Sequence, residues 1–146
     1  MSDKTTPPFD LSNFLPYRLA LVSSQVSRAF AARYRDEFGI SITEWRVLAH
    51  LSQEAVSVRE IHQRVDLEKS KVSRAADRLK AAGLITKVTD PTDRRLVVLS
   101  LTAEGQAMMA RLIPAALSFQ EALEQRLGAC RDGFADGLGA LQRAAR

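Results

Sequence analysis

Lys69-Ser70-Lys71-Val72-Ser73-Arg74-Ala75-Ala76-Asp77-Arg78-Leu79-Lys80-Ala81-Ala82-Gly83, with Leu84–Thr102 directly after it, decides the fold. Val72, Ala75, Ala76 and Leu79 recur three and four apart. That spacing predicts a helix from about Glu68 to Ala82 with one narrow buried face, stopped by Gly83. The period then changes. Branched residues in Leu84–Thr89 and Leu96–Leu101 predict two strands, and Asp90-Pro91-Thr92-Asp93-Arg94-Arg95 is rich in turn formers. The stretch therefore reads as a helix followed by a β-hairpin with a charged tip.

Two shorter helices are expected upstream. One starts at Ser41 or Thr43, with Glu44 in capping-box position and Trp45, Leu48 and Leu51 as its buried stripe. The other starts at the box Ser57-Val58-Arg59-Glu60 and buries Val58, Ile61 and Val65. Long helices flank this centre. The first, capped by Ser12 or Asn13 with Pro16 in its first turn, runs to about Glu37, ends at Gly39, and carries Leu15, Leu19, Val22, Val26, Phe30 and Tyr34. Thr102 caps the second, Ala103 to Leu127, which contains Pro114 and is expected to bend there. A last helix, about Arg131 to Ala144, shows Phe134, Leu138 and Leu141 on one face. Gly133, Gly137 and Gly139 in it read as close helix packing. These outer helices carry more apolar surface than one small core uses, so they read as an oligomer interface. The fold class is mainly α (α+β): a winged helix-turn-helix at 39–102, a dimerisation helix at 11–38, dimerisation helices at 103–146, and a flexible tail at 1–10.

The chain has 146 residues, 46% of them hydrophobic and 26% charged, with a net charge of +4. Between Ser57 and Thr102 stand 10 basic and 6 acidic residues, a net of +4, and the other residues hold 11 of each. The whole excess sits in the centre. A localised basic surface is the electrostatic footprint of a nucleic-acid binder, because neutralising phosphates releases counterions. No apolar run reaches the roughly 20 residues of a membrane span. With one cysteine, Cys130, no internal disulfide forms, and the expected compartment is the cytoplasm. An enzyme is not expected. His50 and His62 lack metal-site spacing, and there is no nucleophile elbow or phosphate loop. No cofactor is expected either.

In a winged helix-turn-helix the second helix of the pair enters the major groove. At about 100° per residue, Ser70 and Arg74 point away from the Val72/Leu79 face, flanked by Lys71, Ser73 and Arg78. Hydroxyls allow close approach to the backbone, and Arg74 can donate two hydrogen bonds to guanine O6 and N7. The blander alternative is a solvated face with Arg74 and Arg78 paired to Asp77 or Glu68. At the hairpin tip Arg94 and Arg95 project from the turn, Asp93 is placed to hold Arg95 extended, and a narrow minor groove attracts inserted arginine. A charged tip that keeps an edge strand soluble is the alternative there.

The block 71–85, followed by Asp90–Arg95 and Leu99-Ser100-Leu101-Thr102-Ala103-Glu104-Gly105, resembles the multiple-antibiotic-resistance-regulator (MarR) family. Asp93, Arg95, Leu101, Thr102 and Gly105 match its wing pattern, and Ile42-Thr43-Glu44-Trp45-Arg46-Val47-Leu48 is similar to its second helix. The resemblance runs from about Leu11 to Leu141. It implies a homodimeric, ligand-responsive repressor whose first and last helices interleave, bound to a palindromic operator in double-stranded DNA. It further implies release by a small effector, an aromatic acid or a related thioester. It assigns DNA contact to Ser70, Lys71, Ser73, Arg74 and Arg78, and on the wing to Asp93, Arg94 and Arg95. The implied effector pocket offers Arg18, Trp45, Arg46 and His50, with Trp45 as core and Arg46 as a plain surface charge the alternative. Some members sense oxidants through a cysteine near the start of the first helix. No cysteine stands there, and Cys130 reads as a packed, inert residue. The competing function is a winged helix that binds protein without DNA, which would show apolar residues on the outer face of the fourth helix.

Overall fold

The computed structural model of the protein describes residues 6–65 and 67–145. The chain divides into two units, Met1–Ile42 and Thr43–Arg146. Of the tail expected over residues 1–10, residues 1–5 lie outside the described residues, and residues 6–10 carry no helix or strand.

The first unit holds a 3-10 turn, Leu11–Asn13, and helix α1, Leu15–Phe38. Ser12 and Asn13 do not cap α1 as expected. Asp10 captures both: its carboxylate accepts from Ser12 N at 3.1 Å, from Ser12 Oγ at 2.6 Å and from Asn13 Nδ2 at 2.6 Å. Local bonding of this kind diverts short polar side chains from helix capping. α1 starts instead from Phe14, without a side-chain cap and with Pro16 in its opening turn, where a missing N–H is harmless. Gly39 ends it at φ +66°, donating to Arg35 O at 2.9 Å. Ala31 and Tyr34 are buried and Phe30 packs edge-to-face on Tyr34 at 4.9 Å, whereas Leu15, Leu19 and Val22 are exposed.

The second unit takes up α2 (Ile42–Leu51) from its second residue. It continues with β1 (Val56–Ser57), α3 (Val58–Arg64), α4 (Lys69–Ala81), β2 (Ile85–Thr89), β3 (Val97–Leu101), α5 (Ala103–Leu127) and α6 (Arg131–Ala144). The antiparallel sheet has the order β1-β3-β2. Strand β1 is not among the expected elements. It pairs Val56 with Leu99 and Ser57 with Val98. Ser57 caps α3 as the box predicts, accepting from Glu60 N at 3.2 Å. On α2, Val47 joins Leu48 and Leu51 in the core, while Trp45, expected there, is half-buried. Val56, Ile61, Val65, Val72, Ala75, Ala76, Leu79, Leu84, Ile85, Leu99, Met109 and Leu112 complete the buried hydrophobic set of this unit, and Val58 is only half-buried.

One junction ties the elements together. After Ala82, Gly83 turns left-handed at φ +77°, Gly83 N donates to Lys80 O and Leu84 N to Leu79 O, both at 3.0 Å. That pair of bonds closes the C-terminal end of α4. Thr102 Oγ1 donates to Gly83 O at 2.6 Å and accepts from Gly105 N at 3.0 Å, so one hydroxyl caps α5 and grips the end of α4. Thr102 N adds a bond to Leu84 O at 3.0 Å. A Cβ on Gly105 would lie 2.1 Å from Leu84 O, a backbone atom.

Gly105→Ala is therefore expected to destabilise the fold by about 1–3 kcal/mol, the range for overpacking a fixed site, read as a lower midpoint in urea unfolding. A second expectation concerns the hairpin turn. Asp90 accepts from Thr92 Oγ1 at 2.6 Å, Thr92 N at 2.8 Å and Asp93 N at 3.2 Å, bonds that hold its carboxyl below the usual range. A lowered pKa makes the turn's order complete above about pH 4 and loses it as pH falls through that lowered value. In an NMR titration the Thr92 and Asp93 amide shifts should move together with a midpoint below that of an ordinary aspartate. A midpoint at the ordinary value would disconnect the turn from Asp90.

Candidate nucleic-acid interface

α4 owes its amphipathic cut to four apolar residues, Val72, Ala75, Ala76 and Leu79, all buried. That fixes which side faces outward. Ser70, Lys71, Arg74 and Arg78 are exposed and Ser73 is half-buried. Ser70, Lys71 and Arg74 make no hydrogen bond or ion pair with another side chain among the described residues. Ser73 Oγ lies 3.2 Å from His62 Nε2 on α3, and Arg78 Nε donates to Glu44 Oε1 on α2 at 3.0 Å. Asp77 pairs with Lys87 of β2, whose hydrogen bond holds the Asp77 carboxyl below its ordinary range. So the helix's carboxylate is taken by the wing strand and not by Arg74 or Arg78. The first turn of α4 contains no acidic residue, and Glu68, which precedes it, makes no side-chain cap.

The hairpin tip is built by its own acids. Asp90 shapes the turn, and Asp93 Oδ1 accepts from Arg95 N at 3.1 Å and Arg95 Nε at 3.2 Å. The Arg95 side chain is nevertheless 91% exposed, since only its near nitrogen is held and the far end of the guanidinium reaches into solvent. Arg94 is exposed and makes no ion pair among the described residues.

Between α3, the start of α4 and the base of the hairpin lies a cleft of about 760 Å³, lined by Arg59, His62, Lys69, Lys87, Asp93 and Arg95 over a floor that includes Val58 and Val97. Of the residues expected at the site from sequence, Asp93 and Arg95 line it. Arg59, Lys69 and Lys87 are the residues that sequence reasoning misses. The box at Ser57 places Arg59 in the exposed first turn of α3, a signal present in the sequence. Lys87 falls on a strand whose alternation does not reveal that it leans toward α4.

The residues expected at an effector pocket fall in both units. Arg18 is exposed on α1 in the first unit. Trp45, Arg46 and His50 are half-buried on α2, with Arg46 and His50 one turn apart on the same side of it. Cys130, expected to be packed, is exposed at the end of the 3-10 turn Gly128–Cys130. It is separated from the buried start of α5 by the whole length of that helix, so no core surrounds it.

A family model described as MarR family matches residues 38–96, the stretch from the end of α1 to the end of the hairpin turn. The HTH-type transcriptional regulator PapX of Escherichia coli is 28% identical over 109 residues, which is 73% of this chain and 66% of PapX. The chain thus aligns with just under two thirds of that relative. The solved MarR family transcriptional regulator SPO1453 of Silicibacter pomeroyi is 28% identical, with a TM-score of 0.83 over 95% of this chain and all of that one. BpsR of Bordetella bronchiseptica, whose DNA binding is regulated by 6-hydroxynicotinic acid, shares the fold at a TM-score of 0.81 and 24% identity, over 93% of this chain and 98% of its own. The match to the MarR family model thus covers the helix pair and the hairpin turn, and over nearly the whole chain the fold is that of a solved MarR family transcriptional regulator.

Proposed function

We propose that the chain is a sequence-specific repressor that binds a palindromic operator as a homodimer and is released by a small aromatic acid or a related thioester. The observation that carries the DNA reading is the outward set Ser70, Lys71 and Arg74, left without side-chain partners beside a hairpin tip where Arg95 is held by its inner nitrogen and aimed into solvent. Ser73, Asp77 and Arg78 of the same helix are engaged by α3, β2 and α2. Ser70 and Arg74 suit the major groove and Arg95 the minor groove, with Arg94 on a neighbouring phosphate. The acid-free first turn of α4 suits a phosphate, because helix N-termini carry unpaired N–H groups and positive potential. Arg59, Lys69 and Lys87 in the adjoining cleft suit the strand that runs past it.

The dimer reading rests on where apolar surface is left uncovered. Apart from Val88, every large hydrophobic residue found exposed lies either between Phe9 and Val22 or between Ile113 and Leu141. Among the described residues, nothing beyond the helix's own backbone and chain neighbours comes within 4 Å of where a Cβ on Gly133 or Gly137 would stand, and a second copy suits that space. For the effector, the Trp45 ring and the Arg46 guanidinium offer a flat face and a carboxylate partner, with Arg18 and His50 as further candidates. The aromatic acid that regulates BpsR is in keeping with that class. Among the described residues no helix is long and apolar enough to cross a membrane, and the cytoplasm suits a regulator of this kind. PapX and SPO1453 are regulators by name, in keeping with a protein that is not an enzyme.

Duplexes selected by the wild-type protein from a randomised pool provide the test. Two copies neutralising roughly 6–10 phosphates should lose on the order of 10³–10⁵ in affinity between 50 and 200 mM salt. Arg74→Ala should weaken the selected duplex by about 1–3 kcal/mol more than a scrambled one. Arg95→Ala should weaken both more evenly and flatten the salt slope. A flat salt response in the wild type would indicate a protein-binding module.

The assembly and the effector are checked separately. Sedimentation at micromolar concentration should show a species near twice 16.1 kDa, and a folded monomer would remove the dimer. In a thermal-shift screen of aromatic acids and their thioesters, a ligand that raises the wild-type melting temperature should lose its effect in Arg46→Ala. An undiminished shift in that variant would move the effector away from α2.

A further inference from the structure

The polar face of α4 is gripped from both sides. On one flank Ser73 meets His62 of α3, and Asp77 pairs with Lys87 of β2. On the other, Arg78 Nε donates to Glu44 Oε1 of α2 at 3.0 Å. At about 100° per residue, Ser73 and Arg78 stand on opposite flanks, and the unpartnered Ser70 and Arg74 stand between them, furthest from the core. A helix held on one flank alone can still roll about its long axis on a face as smooth as Val72, Ala75, Ala76 and Leu79. Held on both, it cannot. Rolling matters for readout, because two parallel hydrogen bonds from one guanidinium to a base edge tolerate little misalignment.

The Glu44–Arg78 pair also differs from an ordinary surface pair. The Glu44 side chain is 14% exposed, while that of Arg78 is 56% exposed. A carboxylate so far withdrawn from water holds its cation in a lower effective dielectric than two solvated partners would. The partners lie 34 positions apart and join two different helices, so the bond fixes tertiary geometry and not a local turn.

Resting on the DNA-binding reading above, we propose that Arg78 is a positioning residue. Together with Glu44 it sets the roll of α4 so that Arg74 meets the base edges, and it is not one of the cations that neutralise the DNA backbone.

The full chain is compared as wild type, Glu44→Gln, Arg78→Ala and the double variant. Each is titrated at 50 and 200 mM salt against a duplex selected by the wild type and against a scrambled duplex, and melting temperatures are recorded. Each single variant should lose about tenfold on the selected duplex and less than about threefold on the scrambled one. The double variant should be no worse than either single, as for two residues acting through one bond. The salt slope should stay at the wild-type value. If Arg78 touches phosphate instead, Arg78→Ala flattens the slope by about 0.9 for each phosphate that it leaves unneutralised. Glu44→Gln, by freeing the guanidinium, then binds both duplexes as well as the wild type or better. Either of those results overturns the proposal. So does a lowered melting temperature with the preference for the selected duplex intact, which makes the pair a fold-stabilising interaction only. Should Arg78→Ala fail to fold, Arg78→Met keeps the aliphatic stem, and it and Glu44→Gln are read by the same criteria. A wild type that binds no duplex in a salt-dependent way fails the DNA reading itself, an outcome distinct from a wild type that binds and a Glu44→Gln variant that binds equally well.

Discussion

The hydroxyl of Thr102 is the constraint around which the second unit is arranged. It donates a hydrogen bond to Gly83 O, at the end of α4, and accepts one from Gly105 N, at the start of α5. With the Thr102 N–H on Leu84 O, that residue joins the end of α4, the entry to β2, the end of β3 and the cap of α5. Gly105 allows the approach, because any side chain there would collide with Leu84 O. The left-handed Gly83 allows it too, by turning the chain sharply enough for Leu84 to enter the core beside its own helix. Three residues that look like separate local signals in the sequence, a helix stop, a helix cap and a small residue after the cap, are parts of one joint.

What the sequence discloses here depends on how local the deciding interaction is. α4, the hairpin and α5 are legible because each is written within its own span: an apolar stripe, a run of branched residues, a threonine before a helix. Strand β1 is not. Val56 and Ser57 are extended because Leu99 and Val98 pair with them, and nothing in a two-residue run announces partners that distant. Trp45 misleads for a related reason. Hydrophobicity ranks it as core, but the rotation of α2 is set by what packs on Val47, Leu48 and Leu51. Glu44 reads as a local capping residue, whereas its bond to Arg78 depends on the tertiary placement of both helices. Ser12 and Asn13 show the reverse error, since their capping potential is real but Asp10 stands closer.

The charge pattern is equally misread if it is merely counted. Between Lys69 and Arg95 the basic residues outnumber the acidic ones 8 to 3, yet the three carboxylates do most of the sorting. Asp77 takes Lys87, Asp90 is occupied by the turn, and Asp93 holds one nitrogen of Arg95. With Glu44 on Arg78, the acids divide the cations into a fixed set and a free set. An arginine held at one nitrogen and open at the others has already surrendered part of its rotamer freedom. Any anion it meets afterwards is bound at a smaller entropic penalty.

The pairing of Val56 with Leu99 has a kinetic meaning as well. The β2–β3 hairpin closes over a short turn, from Thr89 to Val97, and such loops form within microseconds. The β1–β3 pairing encloses α3, α4 and β2 in one large loop, whose closure has a greater entropic cost, offset only once both helices are docked. The two-residue strand acts as a latch on that loop. The hairpin is therefore expected to form before the β1–β3 pairing during folding.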